Sequence, residues 1–539
     1  TSRPRFDLEV YRMGWYGGAG ARLLLTVQAL PGLNQPVPTP QPDTGLLAAT
    51  WQPAYTLQPA PDWVSGVYLV KLIASDGSVG YLLFVLRDDS SPAPLLYQVP
   101  LTTYQAYNKW GGKSLYDYQS PGGRAFKVSF DRPYDNWSGA GLFFEGDYNM
   151  IRWLEAQGYP LSYATSLELH ANPTLLAGRK AFLSVWHDEY WSQPMRAQLE
   201  AARERGVHLA FFNANNLYWQ VRFEPNAQGV PDRVLVCYKD AALDPLSASQ
   251  PERTTVLWRD PPVNRPENAL LGVMFESLFD YGQSYPWVVS NAAHWLYAGT
   301  GLQNGQPIAG LVGYEYDRVW ANGLTPAGLV VVGASPVVDV DGVRSTAQGV
   351  IYQAGSGAVV FAAGTNYWAW KMDDNEYQQR GADARVQRMT ANLLTVLLGG
   401  SAGAATATPT GTTTGTPPVT AAATLTATAA LTPGGTATAT LTASATPSAT
   451  PTSTPTSTPT ATATLVATAT SIPSRTPTPP TLLPCDINRD GRVDIFDYVV
   501  LVQNFGKREP GNAADCNGDG RVDIFDYVLL VQNFGRRAP

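Results

Sequence analysis

Ala181-Phe-Leu-Ser-Val-Trp-His187 is an apolar run that ends in a histidine, and the chain after it changes period twice. From Ser192 to Arg205, apolar side chains recur every three to four residues behind a serine cap, which predicts a helix. Val207-His-Leu-Ala-Phe-Phe212 returns to a short apolar run of strand length. Strand, helix and strand at this spacing make a βαβ unit, and such a unit requires a parallel sheet. Ligands of parallel sheets bind beyond the carboxyl ends of the strands. Those ends carry His187-Asp-Glu-Tyr-Trp191 and Asn213-Ala-Asn215-Asn216, so His187, Glu189, Asn213 and Asn215 are candidate site residues.

The same alternation extends over residues 90–400, with an amphipathic segment from Asp147 to Gln157, and predicts one α/β domain. Residues 1–89 read differently. Phe6–Tyr11, Tyr68–Ile73 and Tyr81–Leu86 are strand-like, and Ser75-Asp-Gly-Ser78 is a hairpin turn. A small immunoglobulin-like β-sandwich is expected there, with the sequence opening too close to Phe6 to include its first strand. Of the remaining histidines, His170 is expected in a loop, His208 at the start of a strand and His294 packed in a helix. Cys237, inside Arg233-Val-Leu-Val-Cys-Tyr238, reads as a core thiol.

Residues 401–484 hold 30 Thr, 13 Pro, no aromatic residue and one charge, Arg475. So few large apolar side chains cannot offset roughly 1–2 kcal/mol of backbone ordering per residue, so this stretch is a disordered linker or glycosylated stalk. Beyond it, residues 485–539 repeat one acidic pattern at an offset of 29. Asp486, Asn488, Asp490, Arg492, Asp494 and Asp497 occupy loop positions 1, 3, 5, 7, 9 and 12 of the calcium-loop template, with Gly491 at the sharp turn. Asp515, Asn517, Asp519, Arg521, Asp523 and Asp526 repeat it around Gly520. The arginines at position 7 are tolerated because that position contributes its backbone carbonyl. Two calcium ions are therefore expected, each loop followed by an apolar helix.

The tail resembles a type I dockerin module over residues 485–536. The resemblance implies a cohesin-like domain on a scaffold or cell surface as partner, and an extracellular location. Cohesin-recognising dockerins often carry Ser and Thr at loop positions 10 and 11, where this chain has Ile495-Phe496 and Ile524-Phe525. Cys485 and Cys516, at the edges of the loops, suggest a disulfide between the repeats.

The body is similar to the large (β) subunit of N,N-dimethylformamidase and its exported relatives. Tyr11-Arg-Met-Gly-Trp-Tyr-Gly-Gly18, Trp63–Tyr68, Thr103–Gly112, Ser129–Tyr134, His187–Trp191, Asn213–Asn215 and Gly313-Tyr-Glu-Tyr-Asp317 carry the likeness. It implies ferric iron held by two tyrosinates and a glutamate, and hydrolysis of an amide C–N bond. Glu189 and Tyr107 match ligands; the second tyrosine is assigned to Tyr134 ahead of Tyr104 and Tyr116. His187, Asn213 and Asn215 match polar site residues, Asn213 standing where the enzyme has an acid. Glu315 matches the carboxylate that activates water.

Composition excludes several other classes. No basic stripe interrupts a net charge of −7, which argues against nucleic acid as a partner. No apolar run is long enough to span a bilayer, and three cysteines are too few for a disulfide scaffold. The sequence contains no G-x-S-x-G elbow and no phosphate-binding glycine loop. Two other functions fit the residues: binding or cleavage of polysaccharide, for which the 15 Trp and 27 Tyr offer stacking surfaces, and a non-catalytic surface protein. Calcium is expected to order residues 485–536 and chelation to unfold them without touching the body. Limited proteolysis of the full chain with calcium and with chelator checks this, and identical cleavage of the tail in both would refute the loop reading.

Overall fold

The computed structural model describes residues 1, 3–375, 377–378 and 380–402 of the body and linker start. In the tail it describes 484–487, 489, 493, 497, 500–501, 504, 507–508, 511–518, 520–522, 524–533 and 536. Body and tail are separate compact units.

Four strands open the chain: β1 (Arg5–Met13), β2 (Ala21–Pro31), β3 (Gly66–Ala74) and β4 (Val79–Leu86). They form one antiparallel sheet in the order β2-β1-β3-β4. Among the described residues this is a single layer, not the two sheets of the expected sandwich. Residues 32–65, which would have to supply further strands, contain seven prolines, and proline cannot donate to a ladder. The sheet is fixed to the body by the motif Tyr11–Gly18. Arg12 pairs with Glu155 at 2.8 Å, and Glu155 also accepts hydrogen bonds from Tyr163 Oη (2.9 Å) and the Trp15 amide (3.1 Å). A side chain at residue 14 would press on that carboxylate, a Cβ falling 2.0 Å from Glu155 Oε2, so Gly14 leaves room for the Arg12–Glu155 pair.

The body continues with β5 (Leu95–Val99), α1 (Leu101–Ala106), β6 (Lys127–Ser129), α2 (Asp147–Ala156), β7 (Leu161–Thr165), α3 (Ser166–Ala171) and β8 (Ala181–His187). Next come β9 (Tyr190–Ser192), α4 (Gln193–Glu204), β10 (His208–Ala214), β11 (Trp219–Glu224), β12 (Val234–Val236) and α5 (Asn268–Leu271). The last third supplies β13 (Met274–Leu278), β14 (Tyr285–Val288), β15 (Pro307–Val312), β16 (Glu315–Arg318), β17 (Val330–Val338), β18 (Arg344–Gln353), β19 (Val359–Ala362) and α6 (Ala384–Leu397).

A seven-stranded sheet, ordered β17-β18-β19-β10-β8-β5-β7, forms the centre. From β19 to β7 all neighbours are parallel, and β17 and β18 add an antiparallel edge. Period-two alternation divides its side chains between two cores. Phe182, Leu209 and Phe211 pack with Met195 and Leu199 of α4, while Leu183, Val185, Ala210 and Phe212 face α2 and α6. Ser192 caps α4, its hydroxyl accepting from the Met195 amide. His170 lies in α3 rather than a loop, and His294 caps a single 3-10 turn at Trp295–Tyr297 rather than packing in a helix. Cys237 is fully buried in a small core beside Tyr190 and Leu235.

In the tail, Cys485, Ile487, Val493, Leu501, Ala514, Val522 and Leu530 form a small core, with a helix α7 at Ile524–Asn533. Cys485 and Cys516 are both free thiols there, so the expected disulfide is not formed. The calcium-loop positions Asn488, Asp490, Arg492, Asp494, Asp519 and Asp523, and nearly all of the linker, lie outside the described residues. Among the described residues, no helix is long and apolar enough to cross a membrane.

One packing detail is sharp enough to test. Gly333 and Gly349 face each other across β17 and β18 and leave a slot for the buried indole of Trp287; a Cβ at residue 349 would lie 2.0 Å from it. Overpacking of this kind costs about 1–3 kcal/mol. Gly349→Ala is expected to lower the thermal midpoint of the body, and Gly355→Ala, which meets nothing within 4 Å, to leave it unchanged. Calorimetric scans of both variants check this, and equal midpoints would contradict the slot.

Candidate functional site

Chain direction across the central sheet decides where a site can form. After β5 the chain crosses to β7 on one side, and β8 then pairs with β5 on the other. The connections leaving the neighbouring strands β5 and β8 therefore diverge and open a crevice, the switch point at which parallel sheets bind ligands. Tyr107 follows α1 beyond β5, and His187-Asp188-Glu189 follow β8. Asn213 and Asn215 come from the next strand, β10, and Asn366 from the turn after β19. Glu315 reaches the same place from β16, which pairs with β13 in a separate ribbon.

The phenols meet on one carboxylate. Tyr190 Oη donates to Tyr116 Oη at 2.6 Å, Tyr116 to Tyr107 at 2.7 Å, and Tyr107 to Glu189 Oε2 at 2.7 Å. Tyr116 Oη is also within donating reach of both Glu189 oxygens at 3.0 Å, so its single proton is shared among Tyr107 and the carboxylate. The Tyr107, Tyr116 and Glu189 oxygens therefore converge within 2.7–3.0 Å of one another, a spacing that oxygen donors around one cation also take. A hard cation suits phenolate and carboxylate oxygen, so Tyr107, Tyr116 and Glu189 fit the metal that the sequence resemblance implies. Among the described residues, no group of three His, Cys, Asp or Glu side chains could hold a metal, which leaves the tyrosines as the distinguishing donors. Burial, then the Glu189 charge, pushes the Tyr107 and Tyr116 hydroxyls well above the ordinary phenol range. Burial also raises Glu189, partly offset by His187.

Tyr134 is not part of this cluster. Its ring packs edge-on against Tyr104 at 6.2 Å, and Tyr104 itself donates to Asp147, as Tyr97 does. Of the three alternatives for the second tyrosine, the fold brings Tyr116 to Glu189.

The second half of the site is built around His187. Its Nε2 lies 2.9 Å from Glu315 Oε2 and 3.5 Å from Glu189 Oε2, an ion-pair approach that is not aligned for a hydrogen bond. Tyr314 Oη touches Nδ1 at 3.3 Å. Burial alone would depress the imidazole, but Glu315 and Glu189 outweigh it and hold His187 up at about 9. Asn215 and Asn366 donate to the two oxygens of Glu315 at 3.1 and 2.9 Å. Asn213 faces away from that carboxylate: its amide donates to Ser184 Oγ, which donates to Asp188, and Gln98 donates to the same Asp188 oxygen. Asn213 thus braces the floor of the site.

Three contributors were not singled out by spacing or motif. Lys239 places its ammonium 3.5 Å from the centre of the Tyr116 ring, and burial pushes it down to about 8. Tyr190 was read only as part of the His187 motif, and Asn366 not at all. The backbone carries a further signal. Trp186, Asn215, Leu217 and Lys239 all have left-handed φ between 55° and 65°, a conformation costing roughly 1–3 kcal/mol each that concentrates at functional sites.

In the tail, the described carboxylates already act on loop backbone. Asp515 accepts from the amides of Gly518 (2.8 Å) and Gly520 (2.9 Å). Asp497 and Asp526, both at position 12, accept from Ile487 and Asn517 at 2.6 and 3.0 Å.

Comparison with known proteins agrees with both halves. Residues 7–380 match the family model "N,N-dimethylformamidase beta subunit-like, C-terminal", and residues 484–535 match the dockerin type I domain. No curated protein matches the chain. Among solved structures, a type II cohesin-dockerin domain from Bacteroides cellolosolvens is 37% identical over 11% of this chain and 92% of that one, with a TM-score of 0.10. With more than half of its length in the first match, the chain belongs to the N,N-dimethylformamidase beta subunit-like family, and a type I dockerin domain follows in its tail.

Proposed function

We propose that the body is a metal-dependent hydrolase of amide C–N bonds, working outside the cell and attached through its dockerin domain to a cohesin-like partner. The observation that carries this reading is the meeting of Tyr107, Tyr116 and Glu189 oxygens beside the His187–Glu315 pair.

Tyr107, Tyr116 and Glu189 would hold the ferric ion, which supplies a Lewis acid for the amide oxygen. Glu315, oriented by the Asn215 and Asn366 amides, takes the proton of the attacking water. His187 is kept protonated at Nε2 by the carboxylates around it and gives a proton to the departing amine nitrogen. Tyr314 fixes the ring through Nδ1, and the Asn213–Ser184–Asp188 network holds the strand end below it. Lys239, stacked on Tyr116, favours the charged form of Glu189.

The dockerin domain supports two calcium ions and a tethering role, since Asp515 at position 1 and Asp497 and Asp526 at position 12 are already turned onto the loop backbone. The same domain supports an extracellular setting, because loops of this kind suit millimolar calcium.

Release of amine from a panel of small amides tests the catalytic reading. Glu189→Gln and Tyr116→Phe are expected to lose roughly 10²-fold or more of the rate, the scale of removing one electrostatic stabiliser. Tyr134→Phe is expected to stay near wild type. Full activity in Tyr116→Phe, or an equal loss in Tyr134→Phe, would contradict the assignment of the second tyrosine.

A further inference from the structure

A cavity of about 400 Å³ opens from His187 and Tyr107 toward the surface. Its walls are aromatic. Trp186 and Tyr314 stand near the reacting groups, with ring centres 6.3 Å apart, and Tyr281 meets Tyr314 edge-on at 5.2 Å. Tyr118 and Tyr281 form the rim and are 73% and 58% exposed, an unusual outlay of tyrosine surface for a soluble fold. Two acids also line the cavity, Glu145 and Asp280; the cationic side chain among the lining residues is His187, which is paired with Glu315. Arg380, whose charge reaches Tyr281, is occupied over the Trp370 ring at 4.4 Å and lies outside the lining.

Glu145 is the informative group. Trp137 Nε1 and Tyr281 Oη approach its two oxygens only at 3.3 and 3.4 Å, the long end of hydrogen bonding. Among the described residues it forms no ion pair with a lysine or arginine, and burial raises its carboxyl above the ordinary range. A carboxylate half-withdrawn from water, weakly bonded and ringed by π-faces gains most from a cation. The rings attract a cation through their quadrupoles, and the carboxylate adds direct charge. A head group rich in N–H would need an acceptor for every hydrogen, and the ring faces of Trp186, Tyr281 and Tyr314 offer none, whereas a quaternary or alkylated ammonium has few or none to satisfy.

We propose that the cavity is a subsite for an alkylated ammonium group carried on the amide substrate, with Glu145, Tyr281 and Tyr314 as its recognising side chains. This rests on the amide-hydrolase reading for the word substrate, but the subsite itself is a binding statement. It requires neither turnover nor a bound metal.

Calorimetric titration of the full chain with tetramethylammonium chloride, and with tert-butanol and glucose as neutral probes, tests it. The cation is expected to bind at least about tenfold tighter than either neutral molecule, the effect of roughly 1.4 kcal/mol from desolvated cation–π and charge contacts. Glu145→Gln, which keeps size and shape, and Tyr281→Ala, at the exposed rim, are each expected to weaken the cation severalfold and leave the neutral probes unchanged. Equal binding of cation and neutral probes, preference for glucose, or undiminished cation binding in both variants would overturn the proposal. Selective cation binding with no amide turnover would sink the hydrolase reading while sustaining the subsite; turnover without cation selectivity would do the reverse.

Discussion

The short contact between Tyr107 and Glu189 exists because two neighbouring parallel strands send their connections in opposite directions. β5 and β8 run side by side, yet the chain leaves β5 for β7 and leaves β8 for β10. A crevice is unavoidable at that point, and whatever side chains follow the two strands must share it. Here those side chains are a phenol and a carboxylate, 2.7 Å apart. Everything else in the site is arranged around them: Tyr116 and Tyr190 extend the phenol chain on one side, and His187 and Glu315 form the charged pair on the other. The amide of Glu189 is itself pinned to Thr103 Oγ1 of α1 at 2.9 Å, so the two connections are tied together at the backbone as well.

Such a concentration of buried acids is expensive unless each has partners. Glu189, Glu315, Asp188 and Asp317 are all at least 95% covered, and burial raises Asp188 and Asp317 to about 7. The fold answers with hydrogen-bond donors held on separate elements: Gln98 from β5, Ser184 from β8, Asn215 after β10, and Asn366 after β19. Some acceptors are still unmatched, among them Asp188 Oδ1, Asn215 Oδ1 and Asn216 Oδ1. Strained backbone at Trp186, Asn215 and Lys239 lies in the same region. This is the pattern of a site in which the surrounding cores sustain local cost for a prearranged geometry.

What could be read from the sequence followed from periodicity and strand ends. The switch from apolar run to helical spacing between His187 and Val207 marked the βαβ unit, and it placed His187, Glu189, Asn213 and Asn215 at the correct edge of the sheet. Tyr116 was not decidable. It lies in a stretch of short turns with left-handed glycines at 111 and 112, which has no period from which a direction could be inferred. Lys239 follows β12 with φ of 60°, and nothing in Cys237-Tyr-Lys-Asp240 signals that its ammonium turns back over a tyrosine ring. Glu315 was reached through family likeness alone, because its ribbon is not part of the central sheet. The N-terminal layer was overread as a sandwich for the opposite reason: its strands were legible, but the proline-rich gap between β2 and β3 was not weighed against a second sheet.

The proposed function turns on whether the phenol and carboxylate oxygens at the β5–β8 crevice would hold a trivalent metal. Metal analysis of the purified full chain, combined with its visible absorption spectrum, tests that claim most directly. The account predicts one iron per body with a tyrosinate-to-iron band that is lost or strongly weakened in Tyr116→Phe and retained in Tyr134→Phe. A colourless protein that takes up no iron when supplied with ferric salt, or a band that survives in Tyr116→Phe, would contradict it.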